Sequence, residues 1–227
     1  MTSIFNNIVR TSKPQSMACM ACGVLPYMIR NNEIFFLMGQ ENRGVSDFGG
    51  YCDESDRLFH VSASREFSEE TMGLFCQSLE LRGTRGGVTK STETMTKILS
   101  NKELHKDGYV KEFINPKNSY KMFCAPTNLF VSSKTFQKTL FVNDNRLYKD
   151  MIMNVEKNTV WWITIDQLIS IIKAKTGEME FDGRTERLFR NFLVTIEQPE
   201  FMEFINNLKA MDLNQILQLQ TSLWKDS

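Results

Sequence analysis

The sequence predicts an α/β protein, and three stretches carry that expectation. Two apolar runs, MACMACGVLPYMI at 17–29 and IFFLMGQ at 34–40, flank Asn31-Asn32, and a turn pair between apolar segments signals a β-hairpin. Over 58–72, Phe59, Ala63 and Phe67 recur at four-residue spacing, the inward stripe of a helix. At 160–165 a compact β-branched and aromatic strand runs into a helix that begins near Asp166.

The other elements follow from similar signals. A polar leader, 1–16, precedes the first strand and lacks the continuous apolar core of a signal peptide. Gly49-Gly50 forms a loop into the 58–72 helix, which Gly73 ends as a C-terminal cap. Residues 76–118 form an insertion with a basic glycine-rich loop, RGTRGG at 82–87, and a helix over 92–104. YVKEFI and SYKMFCAPTNLF form a second hairpin across Asn115-Pro116-Lys117-Asn118, and a helix spans 134–153. From Asp182 the chain is expected to be helical throughout, with Phe201, Phe204, Ile205 and Leu208 at helical spacing. The organisation is therefore a leader (1–16), one domain (17–196) with the insertion at 76–118, and a helical C-terminal extension (197–227). That extension packs on the domain or on a partner chain. No internal repeat or low-complexity tract interrupts the chain.

Composition narrows the function classes. Over 227 residues the formal net charge is zero, which argues against a long nonspecific grip on nucleic acid while leaving room for a local basic groove. No apolar run has the length to span a bilayer, so the expectation is a cytoplasmic protein with no membrane partner. Five cysteines, an odd number without disulfide-like spacing, agree with a reducing compartment. Cys19 and Cys22 form a C-x-x-C, but on a strand they face opposite sides, and Cys52, Cys76, Cys124, His60 and His105 are scattered. Buried free thiols fit this pattern better than a zinc or redox site.

The chemistry concentrates in GGYCDESDRLFHVSASREFSEETMGL, 49–74. Residues three and four apart on a helix are neighbours, so Glu66, Glu69 and Glu70 crowd together and repel. Such a face is either solvated or holds a hard, oxygen-seeking cation such as Mg²⁺ or Mn²⁺. The glycine pair upstream favours the cation, because a bare backbone approaches an ion or phosphate closely and offers a carbonyl ligand.

This segment resembles the Nudix box: Gly, five residues, Glu, seven residues, then Arg-Glu-apolar-x-Glu-Glu-x-Gly-apolar. Gly50 matches the first glycine, and Arg65, Glu66, Phe67, Glu69, Glu70, Gly73 and Leu74 match the second half. Asp56 stands in place of the first Glu, eight residues separate it from Arg65, and two separate Glu70 from Gly73. The core from Arg65 to Glu70 keeps the pattern's spacing.

The resemblance implies an α/β/α sandwich with a mixed central sheet, and hydrolysis of the diphosphate linkage in a nucleoside diphosphate joined to another group. It implies Glu66, Glu69, Glu70 and the Gly49 carbonyl as ligands of Mg²⁺ or Mn²⁺. Arg65 holds the glutamates, and Glu156, shortly before an aromatic strand, reaches back to the metal site or remains a solvated loop residue. The general base is Glu69 or Glu156. Gln40, Arg43, Gly50, Arg85 and Trp162 are the substrate-binding candidates. Trp161 and Trp162 are adjacent and face opposite ways on a strand, one toward the core. Arg82 and Arg85 between glycines either meet phosphates or belong to a plain mobile loop. The favoured partner is a small nucleotide conjugate. The alternatives are the 5′ cap of messenger RNA, as removed by Nudix enzymes of large DNA viruses, and a non-catalytic binding module with a degenerate box.

Overall fold

This computed structural model describes residues 21–53, 56, 58–115, 119–144, 155–181 and 183–225. The leader, Cys19 and the second half of the helix expected at 134–153 lie outside the described residues.

Seven strands form one mixed sheet: β1 (Ala21–Arg30), β2 (Glu33–Glu41), β3 (Gly44–Ser46), β4 (Phe48–Tyr51), β5 (Lys111–Asn115), β6 (Tyr120–Pro126) and β7 (Thr159–Thr164). The β1–β2 hairpin turns on Asn31 and Asn32, both left-handed at φ +52° and +60°, as a two-residue turn matched to strand twist requires. β1 pairs in parallel with β6, and the other pairs in the sheet are antiparallel. Along β1 the side chains alternate between two cores: Leu25, Tyr27 and Ile29 enter one, Cys22 and Val24 the other. A strand buried on both faces explains why 21–29 reads as an unbroken apolar run.

Helices α1 (Phe59–Glu70), α2 (Arg85–Ser100), α3 (Lys102–Lys106) and α4 (Ser133–Asp144) follow in the first part of the chain, and α5 (Ile165–Ala174) follows β7. A small hairpin, β8 (Glu178–Phe181) and β9 (Arg184–Arg187), then leads to α6 (Arg190–Ile196), α7 (Pro199–Ala210) and α8 (Leu213–Leu223). Ala63 and Phe67 of α1, Met95 and Ile98 of α2 and Phe136 of α4 cover one face of the sheet. Leu168 of α5, Phe192 of α6, and Phe201, Phe204 and Leu208 of α7 cover the other. The result is a mixed sheet between two helical layers, the expected α/β/α sandwich. Trp161 packs toward the second layer and Trp162 toward the first, opposite ways as adjacent strand residues must.

Four local expectations need correction. Gly49 and Gly50 lie in strand β4, opposite Gly23 and Cys22 of β1, rather than in a loop. The lack of side chains permits it: a Cβ on Gly49 would stand 2.5 Å from the Cys22 carbonyl oxygen, and one on Gly50 would overlap the Glu66 carboxylate. α1 ends in two left-handed residues, Met72 at φ +55° and then Gly73 at φ +62°, so the terminus begins one residue before the expected glycine cap. The Gly73 N–H reaches the Ser68 carbonyl at 2.8 Å and the Met72 N–H reaches that of Glu69 at 2.9 Å, the Schellman pattern. The extra residue after Glu70 is absorbed there. Helix α2 starts at Arg85, inside the expected loop, because the Thr84 hydroxyl caps it by accepting the Gly87 N–H at 3.2 Å. Residues 184–187 are a strand of the β8–β9 hairpin rather than helix, turning at Gly183 with φ +72°. The hairpin is tied down where the Leu188 N–H meets the Gly177 carbonyl and Val45 bridges Leu188.

The last helices seal the end of β1. The parallel pairing of β1 and β6 stops at Tyr27 and Pro126, leaving Ile29 without a strand on that side. The Gln220 amide replaces the strand: its oxygen accepts the Ile29 N–H at 2.9 Å, and its Nε2 donates to the Ile29 carbonyl at 3.2 Å. Trp224 is fully buried against Phe75 and donates its indole N–H to the Pro126 carbonyl at 3.0 Å. Among the described residues no helix is long and apolar enough to cross a membrane. Trp224→Ala is expected to cost about 3–5 kcal/mol in urea denaturation, whereas Leu217→Ala, at an exposed site on α8, should stay within about 0.5 kcal/mol of the parent.

Candidate functional site

One edge of β1 is shared between β2, which pairs with residues 27–30, and β4, which pairs with 21–24. A cleft of about 690 Å³ lies beside β4, walled by α1 and closed by Phe189 and Asn191. Among the described residues, six carboxylates line it, Glu41, Asp47, Glu66, Glu69, Glu70 and Glu156, against a single lining cation, Arg43.

Helix α1 sends its acids in two directions. Arg65 gathers one group: its Nη1 lies 2.8 Å from Glu66 Oε1 and 3.0 Å from Glu69 Oε2, and its Nε lies 3.0 Å from Asp56 Oδ2. Its Nη2 donates to the Tyr51 carbonyl at 3.2 Å, which ties α1 to the end of β4. Asp56 also accepts the Ser62 hydroxyl at 2.8 Å, so the shorter acid at this position is anchored to the helix and still reaches Arg65. Burial alone would lower the Arg65 pKa, but Glu66, Asp56 and Glu69 raise it. Burial raises Glu66 and Glu69 above the usual carboxylate range despite Arg65 beside them.

Glu70 turns inward instead. Its Oε2 accepts the Gly49 N–H at 2.8 Å, and its Oε1 lies 3.7 Å from Lys157 Nζ. Lys157 is only 1% exposed and is also 3.7 Å from Glu41 Oε1. It donates to Ser46 Oγ at 2.8 Å, and its stem occupies the place of a side chain at Gly39, where a Cβ would stand 2.7 Å from Lys157 Cδ. Burial pushes the Glu70 pKa up to about 8. Burial also works against ionised Glu41, but Lys157 and Arg43 outweigh it and hold this carboxyl below its usual value. Beside them Tyr120 donates its hydroxyl to Asp47, and burial raises Asp47 to about 6 and Tyr120 well above the ordinary phenol value.

Arg43 closes the cluster from outside. Its Nη2 donates to Glu41 Oε2 at 3.0 Å and to Glu156 Oε2 at 2.8 Å, with the guanidinium 4.9 Å from the centre of the Phe189 ring. Glu41, Glu70 and Glu156 each place an oxygen within 4.8 Å of the others. An all-oxygen donor set in a cleft with surplus negative charge fits a hard divalent cation, Mg²⁺ or Mn²⁺.

Arg43, Gly49, Gly50, Glu66, Glu69, Glu70 and Glu156 thus come together around the cleft, with Arg65 bound to Glu66 and Glu69. Three substrate-binding candidates stand elsewhere. Gln40 donates to Glu186 Oε2 at 2.7 Å, bracing β2 against β9. Trp162 stacks on Phe130 at 5.6 Å and gives its indole N–H to the Val131 carbonyl. Arg85 starts α2 on the exposed surface and does not line the cleft. Among the described residues the acids whose oxygens converge are Glu41, Glu70 and Glu156, while Glu66 and Glu69 are paired with Arg65. Sequence reasoning missed Glu41, Asp47, Tyr120 and Lys157. The available signals were an acid ending the apolar run 34–40 and a lysine next to Glu156.

No protein-family model matches the chain. An uncharacterized protein of Acanthamoeba polyphaga mimivirus is 26% identical over 143 residues, a match that covers 59% of this chain and 40% of the relative. The chain thus spans less than half the length of that relative. Among solved structures, an Ap4A hydrolase of C. elegans is 15% identical, with 84% of this chain and 94% of that one covered at a TM-score of 0.38. The NUDIX domain of Shewanella oneidensis NrtR, complexed with ADP ribose, is 10% identical, with 85% and 88% covered at 0.40. The Nudix hydrolase RenU of M. smegmatis is 9% identical, with 87% and 90% covered at 0.35. At these scores the likenesses add no residue correspondence.

Glu70 and Asp47 carry a proton in the fold at pH values where the unfolded chain has released it. The stability they contribute is complete below the ordinary carboxylate range and is lost as pH rises through about 6 for Asp47 and about 8 for Glu70. Calorimetry in chelator should show the unfolding midpoint falling between about pH 5 and pH 9. Glu70→Gln, which stays neutral, should flatten the upper part of that decline.

Proposed function

We propose that this protein is a divalent-metal-dependent hydrolase of the Nudix type, cleaving the diphosphate linkage of a nucleoside diphosphate joined to another group. The observation that carries the reading is the division of labour in one cleft. A Nudix-like box places Arg65 among Asp56, Glu66 and Glu69, while its last acid, Glu70, meets Glu41 and Glu156.

Glu41, Glu70 and Glu156 would hold the cation, with Glu66, Glu69 and the Gly49 carbonyl as further oxygen donors on the same cleft. A bound Mg²⁺ or Mn²⁺ supplies charge neutralisation for the diphosphate and a lowered pKa for water. The residues themselves do the rest. Lys157 keeps Glu41 and Glu70 apart yet aimed at one point, and Arg65 fixes the face of α1. Arg43, half-exposed at the cleft rim, is the group placed to grip a phosphate oxygen through charge-assisted hydrogen bonds. Glu69, held by Arg65, and Glu156, held by Arg43, are the two candidates for the general base. Tyr51, 74% exposed at the cleft mouth, offers an aromatic face to a base. Zero net charge favours a small nucleotide conjugate over RNA.

The test is product formation with Mg²⁺ or Mn²⁺ from ADP-ribose, NADH, nucleotide sugars, dinucleoside polyphosphates and cap-labelled RNA. Turnover should fall at least about a hundredfold in Glu69→Gln and Glu70→Gln, the scale of losing one charge-stabilising group, while both variants stay folded. Near-normal rates in both would remove the cleft from the chemistry. Metal-dependent stabilisation with no turnover on any substrate would instead mark a binding module.

A further inference from the structure

We propose that Cys22 and Cys52 form an oxidisable dithiol, a modification site for hydroperoxides that closes to an intramolecular disulfide at the edge of the cleft. The inference stands apart from the chemistry proposed for the carboxylates. The two sulfurs lie 3.3 Å apart although 30 residues separate them in the chain. β1 and β4 bring them together: Cys22 pairs with Gly50, and Cys52 follows two positions later, a diagonal neighbour on the same face. Cys22 is further held by the Phe59 carbonyl, 3.4 Å from its sulfur.

The two cysteines divide the roles that disulfide formation needs. Cys22, Cys76 and Cys124 are fully buried, whereas Cys52 is partly exposed, so a reagent from solvent meets Cys52 first. The Cys22 thiol beside it outweighs burial and brings the Cys52 pKa to about 7, so the nucleophilic thiolate is available near neutral pH. The Cys52 thiolate attacks one oxygen of the hydroperoxide and breaks the O–O bond, giving a sulfenic acid and releasing hydroxide (or alkoxide). The Cys22 thiol then attacks that sulfur; the S–S bond forms, the S–O bond breaks and water leaves. Two thiols lose two electrons and two protons, and the peroxide accepts them. Closing 3.3 Å to the bonded distance of about 2.05 Å draws Cys52 toward β1. The adjoining Tyr51 carbonyl, which holds Arg65, moves with it.

The experiment treats the folded full-length chain with hydrogen peroxide, alkylates remaining thiols, and maps peptides without reduction. The expected result is a loss of two hydrogen masses and a Cys22–Cys52 cross-linked peptide that dithiothreitol releases. The cross-link should persist in Cys19→Ser and vanish in Cys52→Ser and in Cys22→Ser, where Cys52 should proceed to sulfinic acid. A bond from Cys52 or Cys22 to Cys19 in the parent chain would overturn the proposal. So would irreversible oxidation of Cys52 without a cross-link.

Discussion

Two strands share one edge of β1, and that sharing creates the place where the charges meet. β4 can pair there beside β2 because Gly23 and Gly49 carry no side chain. A Cβ on either would run into the opposite strand, and one on Gly23 would also overlap the Tyr120 hydroxyl beside Asp47. Gly50 then lets α1 lie close enough for Glu66 to rest over the strand. The cleft is a steric consequence before it is an electrostatic one. Its position, between a sheet buried on both faces and a helix clamped by Arg65 to the end of β4, leaves it little freedom to collapse.

Into this space the fold puts carboxylates that could not coexist unpaired. Taking a charge out of water costs several kcal/mol per ion unless a partner and hydrogen bonds compensate. Lys157, Arg65 and Arg43 provide the compensation on three sides, and the Gly49 N–H serves Glu70 directly. The compensation is incomplete, as the raised values of Glu66, Glu69 and Glu70 attest. A site left with excess negative charge and all-oxygen donors has the chemistry that suits a divalent cation. Lys157 links the parts, because from beneath it approaches Glu41, Glu70 and Ser46 together.

The C-terminal helices contribute to the same architecture. Phe201 and Phe204 belong to the cluster that includes Phe113 of β5, and Gln220 substitutes for a strand exactly where β6 leaves β1. What resembled an appendage in the amphipathic pattern is part of the packing that holds the central strand. Among the described residues, 184–187, expected to be helix, is a run of polar residues whose pairing with 178–181 depends on Gly177 and Gly183 turns.

The sequence by itself determined most of the element types, the β1–β2 hairpin and the crowding of acids on α1, because these depend on neighbours within one turn or one strand. Glu156, which the resemblance pointed to before β7, lines the cleft. Helix ends were less legible: the Thr84 cap and the Met72 terminus depend on hydrogen bonds that propensity ranks below the nearby glycines. Only the tertiary structure decided that Glu41 completes the acidic triad, that Lys157 lies between it and Glu70, that Trp162 and Arg85 face away, and that Cys52 meets Cys22. Each of those outcomes joins residues far apart in the chain through strand register and layer packing. Periodicity records which way a side chain points from its own element, and the partner it meets is set by the element that packs against it.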